Sequence, residues 1–236
     1  MYKYKDIKKV HLEVSEVCNA ACPMCARTTN GGAEYSSYLK NSTLDLNKFK
    51  IIFAEDFVKQ LTHVNFCGTL GDPITSKDLF EQIDYLLSIN ASLHINIDTN
   101  GGIRNNEWWT KMGKLSTQYK HFVVTFSIDG LEDTNHLYRR NVQWNRLIDN
   151  VKSYISAGGC ARWQFIRFKH NEHQVEQAKL MAKELGFESF AVKDTNRFLK
   201  QSDGSYNYPV RNLGDSLETV QYYLQPTSDF TPVSAV

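Results

Sequence analysis

Six short apolar stretches, each followed by a segment long enough to cross back over a sheet, leave this chain few folds to choose from. Residues 10–17, 63–67, 93–97, 122–128, 163–168 and 187–192 read as strands. Helical patterns lie between them. Asp45 is placed to cap a helix whose apolar face is Leu46, Phe49, Ile52, Phe53 and Phe57, and Ser76 to cap one carrying Leu79, Ile83, Leu86 and Leu87. Residues 106–119 form a weaker helix with Trp108 and Trp109, and residues 142–157 a helix that stops at Gly158 and Gly159. Asn171 with Gln174 predicts a capping box for a helix to Leu185, closed by Gly186. Strands alternating with helical crossovers predict a parallel α/β sheet.

The strand faces refine this. One face is apolar, whereas the other carries His11, Glu13 and Ser15, then His63, Asn65 and Cys67, then His94, Asn96 and Asp98, then Thr125, Ser127 and Asp129. A closed eight-stranded barrel fills its lumen with branched apolar side chains. Six units with a polar inner face predict a partial (β/α)6 TIM-like barrel around an accessible polar cavity. Residues 1–194 form that core. Residues 195–236 read as a short, irregular, polar C-terminal extension with Pro209, Pro226 and Pro232 and one short helix near 215–223.

The unusual residues fall at the C-terminal ends of the strands, where parallel α/β folds gather ligands and chemistry. Cys18-Asn-Ala-Ala-Cys22-Pro-Met-Cys25 follows the first strand, Gly71-Asp72-Pro73 the second, Thr99-Asn100-Gly101 the third and Ser127-Ile-Asp129 the fourth. Three thiols at spacings of four and three point to one centre and suit an iron–sulfur cluster or zinc. A cluster with three protein thiolates keeps one iron open. A fourth ligand, such as Cys67 or a histidine, would close a zinc site. Five cysteines with three clustered do not form a disulfide framework, which agrees with a reducing, cytoplasmic setting. The balance of 27 basic against 26 acidic residues gives no electrostatic reason for a nucleic-acid or membrane partner. Residues 1–9 lack the apolar core of a signal peptide, and no apolar run reaches the ~20 residues of a membrane span.

The Cys18-x3-Cys22-x2-Cys25 loop, set after the first of six βα units, resembles the cluster loop of the radical S-adenosylmethionine (radical SAM) superfamily. The resemblance covers roughly residues 9–194. It implies that Cys18, Cys22 and Cys25 bind a [4Fe-4S] cluster whose open iron chelates S-adenosyl-L-methionine. Reductive cleavage then gives a 5′-deoxyadenosyl radical that removes a substrate hydrogen atom. It also implies an external electron donor such as flavodoxin or ferredoxin. Leu70-Gly71-Asp72-Pro73 lies where the family has a Gly-Gly-Glu-Pro turn at the SAM amino group, with Leu70 and Asp72 departing from that pattern. Ser127 and Arg139 resemble the pair that holds the SAM carboxylate, with Arg140 an adjacent alternative. Thr99, Asn100 and Asp129 stand at ribose-contacting positions, and Met24 borders the adenine. The Ser-Ile-Asp-Gly strand end and Tyr138-Arg139 look most like members with a SPASM or twitch extension. Many of those modify peptides, so a peptide or protein substrate is expected, with a small molecule as the alternative. Such extensions carry further cysteines and none lies beyond Cys160. Residues 195–236 therefore belong either to a protein without auxiliary clusters or to the start of a truncated accessory domain. Two other function classes compete: a non-catalytic zinc-stabilised binding module and an electron-transfer iron–sulfur protein.

Overall fold

A computed structural model describes residues 3–232; Met1, Tyr2 and the last four residues of the extension lie outside the described residues. The six expected strands form one sheet. After β1 (Lys9–Leu12), a two-residue hairpin, β2 (Thr28–Thr29) and β3 (Glu34–Tyr35), interrupts the order; then come β4 (His63–Phe66), β5 (His94–Thr99), β6 (Phe122–Ser127), β7 (Cys160–Ile166) and β8 (Ser189–Lys193). The sheet order is β1-β4-β5-β6-β7-β8, every neighbouring pair parallel. Edge strands β1 and β8 do not pair with each other, so the barrel is open.

The apolar strand face packs under the helices. Phe66, Ile97, Phe126 and Trp163 are buried there, together with Leu79, Ile83 and Leu86 of α3 (Leu79–Ile89) and Trp109 of α4 (Asn106–Gln118). Trp109 donates its indole N–H to the Ile103 carbonyl at 3.0 Å, and Trp108 meets it edge-on. Burying such rings contributes roughly 1.5–3 kcal/mol each. The remaining crossovers are α6 (Trp144–Ser156) and α7 (Val175–Leu185), preceded by the single turn α5 (Asn135–Tyr138). Gly186 ends α7 in the left-handed conformation, φ +87°, as expected for a helix C-terminus.

Several local expectations are corrected. The helix from Asp45 is broken into α1 (Leu46–Ile52) and α2 (Glu55–Gln60) by extended backbone at Ala54, and the break lets Phe49, Phe53, Phe57 and Val58 all face inward. Asp45 does cap α1, accepting the Lys48 N–H at 2.9 Å. Ser76 does not cap α3; that helix starts after Asp78, whose carboxylate instead accepts the Leu46 N–H. Asn171 and Gln174 make no capping box. Asn171 donates to the Asp129 and Ile166 carbonyls, while Gln174 accepts from Leu131 N–H and the Thr134 hydroxyl, so both join the loops above β6 and β7.

The extension also departs from expectation. The helix near 215–223 is absent. A small antiparallel sheet takes its place, built from β9 (Leu199–Lys200), β10 (Tyr206–Val210) and β11 (Tyr222–Leu224). The Tyr222 hydroxyl donates to the Leu137 carbonyl, and Arg140 donates to the Arg211 carbonyl, tying the sheet to the barrel's upper rim. Arg140 is thereby occupied away from the cavity. No helix is long and apolar enough to cross a membrane among the described residues.

Candidate active site

A cavity of about 290 Å³ opens at the C-terminal ends of the strands, and Cys18, Cys22 and Cys25 all line it. The loop coils back on itself through N–H donation from Cys25 to the Cys22 carbonyl and from Thr28 to the Cys25 carbonyl, both at 3.1 Å. Arg27, 5% exposed, staples the loop from behind. Its Nε donates to the Leu70 carbonyl at 2.7 Å and its Nη2 to the Glu16 carbonyl at 2.8 Å. Nothing in the sequence pattern marks Arg27, because its partners are backbone carbonyls far along the chain.

Donors converge on the sulfurs. Cys18 Sγ faces the Ala20 N–H at 3.4 Å and Asn100 Nδ2 at 3.6 Å, and Cys22 Sγ faces Arg139 Nη1 at 3.7 Å. Burial pushes the Cys18 thiol up to about 12 and the Cys22 thiol up to about 11. Without a bound cation these sulfurs stay protonated at neutral pH, which argues against free thiolate nucleophiles. Iron reverses that balance, since a coordinating thiol is deprotonated outright. Three sulfurs, N–H donors around them and no further cysteine or histidine on the cavity wall fit a cluster with one iron lacking a protein ligand. Cys67 donates to Glu13 Oε1 at 3.1 Å, and Cys160 lies at the opposite edge of the sheet in a separate cavity. No His, Cys, Asp or Glu trio among the described residues is grouped closely enough to share one metal ion. A tetrahedral zinc site with bonds of about 2.3 Å would need its sulfurs roughly 3.8 Å apart.

The second strand end is rigid. Glu13 reaches across from β1, and its carboxylate accepts Thr69 N–H at 2.9 Å and Leu70 N–H at 3.1 Å. Gly71 leaves no room for a side chain, since a Cβ would stand 2.1 Å from the Ser15 carbonyl oxygen. Asp72, which follows, is 3% exposed, and its Oδ2 accepts from Thr99 Oγ1 at 3.0 Å and Asn100 N–H at 2.8 Å. Burial pushes its carboxyl up to about 6 against the pull of these donors. It orients Asn100, which in turn faces Cys18.

At the fourth strand end, Arg139 lines the cavity and Asp129 stands behind it. Arg139 Nε lies 2.5 Å from Asp129 Oδ2, and Asp129 Oδ1 accepts the Ile166 N–H at 2.6 Å. Burial opposes the guanidinium's charge, but Asp129 and Cys22 more than offset it, and its pKa is raised. Burial pushes the Asp129 carboxyl up while Arg139 draws it down, and the short contact describes the charged pair.

Of the expected site residues, Gly71, Asp72, Thr99, Asn100, Ser127 and Arg139 line the cavity with the three cysteines. Met24, Pro73 and Asp129 do not. Met24 is 4% exposed in the core and offers its carbonyl to Arg197. Pro73 starts the turn after Asp72, and Asp129 has both oxygens turned to protein partners. Arg27, Asp98, Tyr138, Gln164 and Arg197 also line the cavity and were not expected as site residues. Ser127 makes no side-chain hydrogen bond within the described residues, which leaves its hydroxyl for a ligand.

No family model matches the chain. Two curated GTP 3′,8-cyclases from strains of Staphylococcus epidermidis are 24% identical to it over 159 residues, covering 65% of this chain and 44% of theirs. The chain thus spans less than half the length of these relatives. Among solved structures, an AdoMet-bound anSMEcpe superposes with TM-score 0.64 at 16% identity, covering 85% of this chain and 53% of that one. Streptococcus suis SuiB bound to its precursor peptide SuiA gives 0.62 at 16% identity, over 79% of this chain and 39% of that one. TYW1 with a lysine-pyruvate adduct gives 0.56 at 12% identity, over 96% and 85%. These structures share the fold of this chain, and the cyclases are similar to it in sequence over part of its length.

Proposed function

We propose that this chain is a radical SAM enzyme that takes a hydrogen atom from a peptide or protein. The observation that carries the reading is the meeting of Cys18, Cys22 and Cys25 with Arg139, Asn100 and Ser127 in one cavity at the strand ends. Cys18, Cys22 and Cys25 would hold a [4Fe-4S] cluster and leave one iron for S-adenosyl-L-methionine. Once bound and reduced, this pair would supply the radical chemistry that removes a substrate hydrogen atom.

The chain's own residues account for the rest. Arg139, fixed by Asp129, presents a guanidinium to a carboxylate beside the cluster, and the Ser127 hydroxyl stands free to join it. Asn100, fixed by Asp72, holds an amide against Cys18. Thr99 is turned to the same carboxylate. Glu13 and Gly71 keep the turn at 68–71 close to the cysteine loop. Held groups of this kind need no reorganisation when the reaction occurs. The peptide preference rests on the SuiB structure with a precursor peptide and the anSMEcpe structures with peptides, which share the fold. Residues 1–194 act as the catalytic core, and residues 195–236 as an extension joined to its rim.

Metal analysis with electron paramagnetic resonance tests the reading. Anaerobically reconstituted protein is expected to contain iron and acid-labile sulfide, with a reduced-cluster signal that changes on adding SAM. Zinc in place of iron would indicate a binding module, and a signal indifferent to SAM would indicate an electron-transfer protein.

A further inference from the structure

Below the cysteines the lumen holds one carboxylate that the SAM-facing residues do not use. Asp98 lines the same cavity, half-buried, at the end of β5. Its neighbour Thr99 turns the opposite way, toward Asp72, so Asp98 faces the lumen. Two amides grip it from beneath. Asn65 Nδ2 donates to Oδ2 at 3.1 Å and Asn96 Nδ2 to Oδ1 at 2.8 Å. These amides are themselves held, since Asn96 donates to Asn65 Oδ1 at 2.7 Å and the Thr125 hydroxyl donates to Asn96 Oδ1 at 2.7 Å. His11 adds a contact to Asn65 at 3.3 Å. Side chains from four adjacent strands thus fix one carboxylate in place.

That carboxylate has no cationic partner among the described residues. The nearby guanidiniums are engaged elsewhere: Arg139 with Asp129, Arg27 with two carbonyls, Arg197 with the Met24 carbonyl. The amides supply one donor to each oxygen and leave further lone pairs on the cavity side. A fixed, half-desolvated carboxylate with spare acceptors is matched by a cation that carries several N–H donors.

We propose that Asp98 anchors the substrate by receiving a cationic nitrogen group, a primary ammonium or a guanidinium, on the molecule that enters the lumen. This assignment rests on the radical SAM reading above. The side chain of a lysine or arginine within a peptide has the reach and the charge. The Asp98 carboxylate then fixes which C–H bonds of that residue come near the cysteine loop.

The test uses the full chain, anaerobically reconstituted and saturated with SAM. Two probes of nearly equal shape, Nα-acetyl-L-lysine amide and Nα-acetyl-L-norleucine amide, are titrated by calorimetry. The lysyl probe is expected to bind at least about tenfold more tightly, the effect of a charge-assisted hydrogen bond. Asp98→Asn is expected to erase the difference, and Asn96→Ser, which removes one supporting amide, to reduce it. Nα-acetyl-L-arginine amide is titrated alongside; affinities of both cationic probes equal to that of the norleucyl probe, no binding of either at millimolar concentration, or a preference that survives Asp98→Asn would overturn the proposal. So would loss of SAM affinity in Asp98→Asn alongside no probe preference in the parent protein, because Asp98 would then serve the SAM ammonium. The same parent preparation is assayed for 5′-deoxyadenosine. Its absence defeats the enzyme reading itself, whereas its presence with no probe preference defeats only the role given to Asp98.

Discussion

Asp129 holds Arg139: the guanidinium Nε lies 2.5 Å from a carboxylate oxygen that has no exposed surface. The two act as one unit, with the arginine forming cavity wall and the aspartate setting its direction. Arg139→Lys keeps a charge opposite Asp129 but loses the planar fork that suits a carboxylate. SAM affinity is expected to fall about tenfold while iron content stays at the parental level, the energetic scale being about 1.4 kcal/mol. Calorimetric SAM binding and iron analysis of the same sample check this. Asp129→Asn removes the charge opposite a partly buried guanidinium while keeping one acceptor, with an expected stability loss of about 1–3 kcal/mol by thermal denaturation.

Glu13 fixes the turn at 68–71 through Thr69 N–H and Leu70 N–H. Glu13→Gln turns one acceptor oxygen into a donor that faces another donor. A cost of about 1–3 kcal/mol is expected, concentrated in that turn. Hydrogen exchange should show faster exchange at residues 69 and 70 and unchanged protection in β5 and β6.

Gly71→Ala sets a methyl group 2.1 Å from the Ser15 carbonyl oxygen and 2.7 Å from that of Val17. Both obstacles are backbone, so the strand ends must separate, at an expected cost of about 1–3 kcal/mol or more. The variant is expected to keep its far-ultraviolet circular dichroism and to lose most of its iron on reconstitution.

His170 gives the fold an acid-sensitive point. Its ring stacks on Phe168 with centroids 5.3 Å apart, and its Nε2 is buried without a partner. Burial, with His136 and His173 nearby, lowers its pKa from 6.5 to about 4. The folded state therefore binds fewer protons than the unfolded state between those values. The contribution is complete above pH 6.5 and is lost as pH falls toward 4, by about 3 kcal/mol at most. His170→Phe is expected to flatten the melting-temperature profile across that window, and an unchanged profile would contradict the assignment.

The six βα units and their polar inner face were legible because strand alternation and helix length are local signals. The cysteine loop was legible because its three cysteines lie within eight residues. What escaped depends on distant partners. Arg27 bonds carbonyls of Glu16 and Leu70, and Asn171 joins β6 to β7 where a helix cap was expected. Asp129 was expected at a ribose hydroxyl, and its burial behind Arg139 gives it a positioning role that sequence spacing does not distinguish. Asp98 stood out only as part of a polar strand face, because its isolation from cations depends on where every arginine ends up. In the extension, residues 215–223 have helical spacing, but pairing with Tyr206–Val210 draws Tyr222–Leu224 into a strand.

Release of 5′-deoxyadenosine from SAM by anaerobically reconstituted, dithionite-reduced protein tests the central claim most directly. The parent protein is expected to form it, and Cys22→Ala, which removes one of the three sulfurs lining the cavity, to form none above background. Release at the parental rate from Cys22→Ala, or no release from a parent sample loaded with iron and sulfide, would contradict the account.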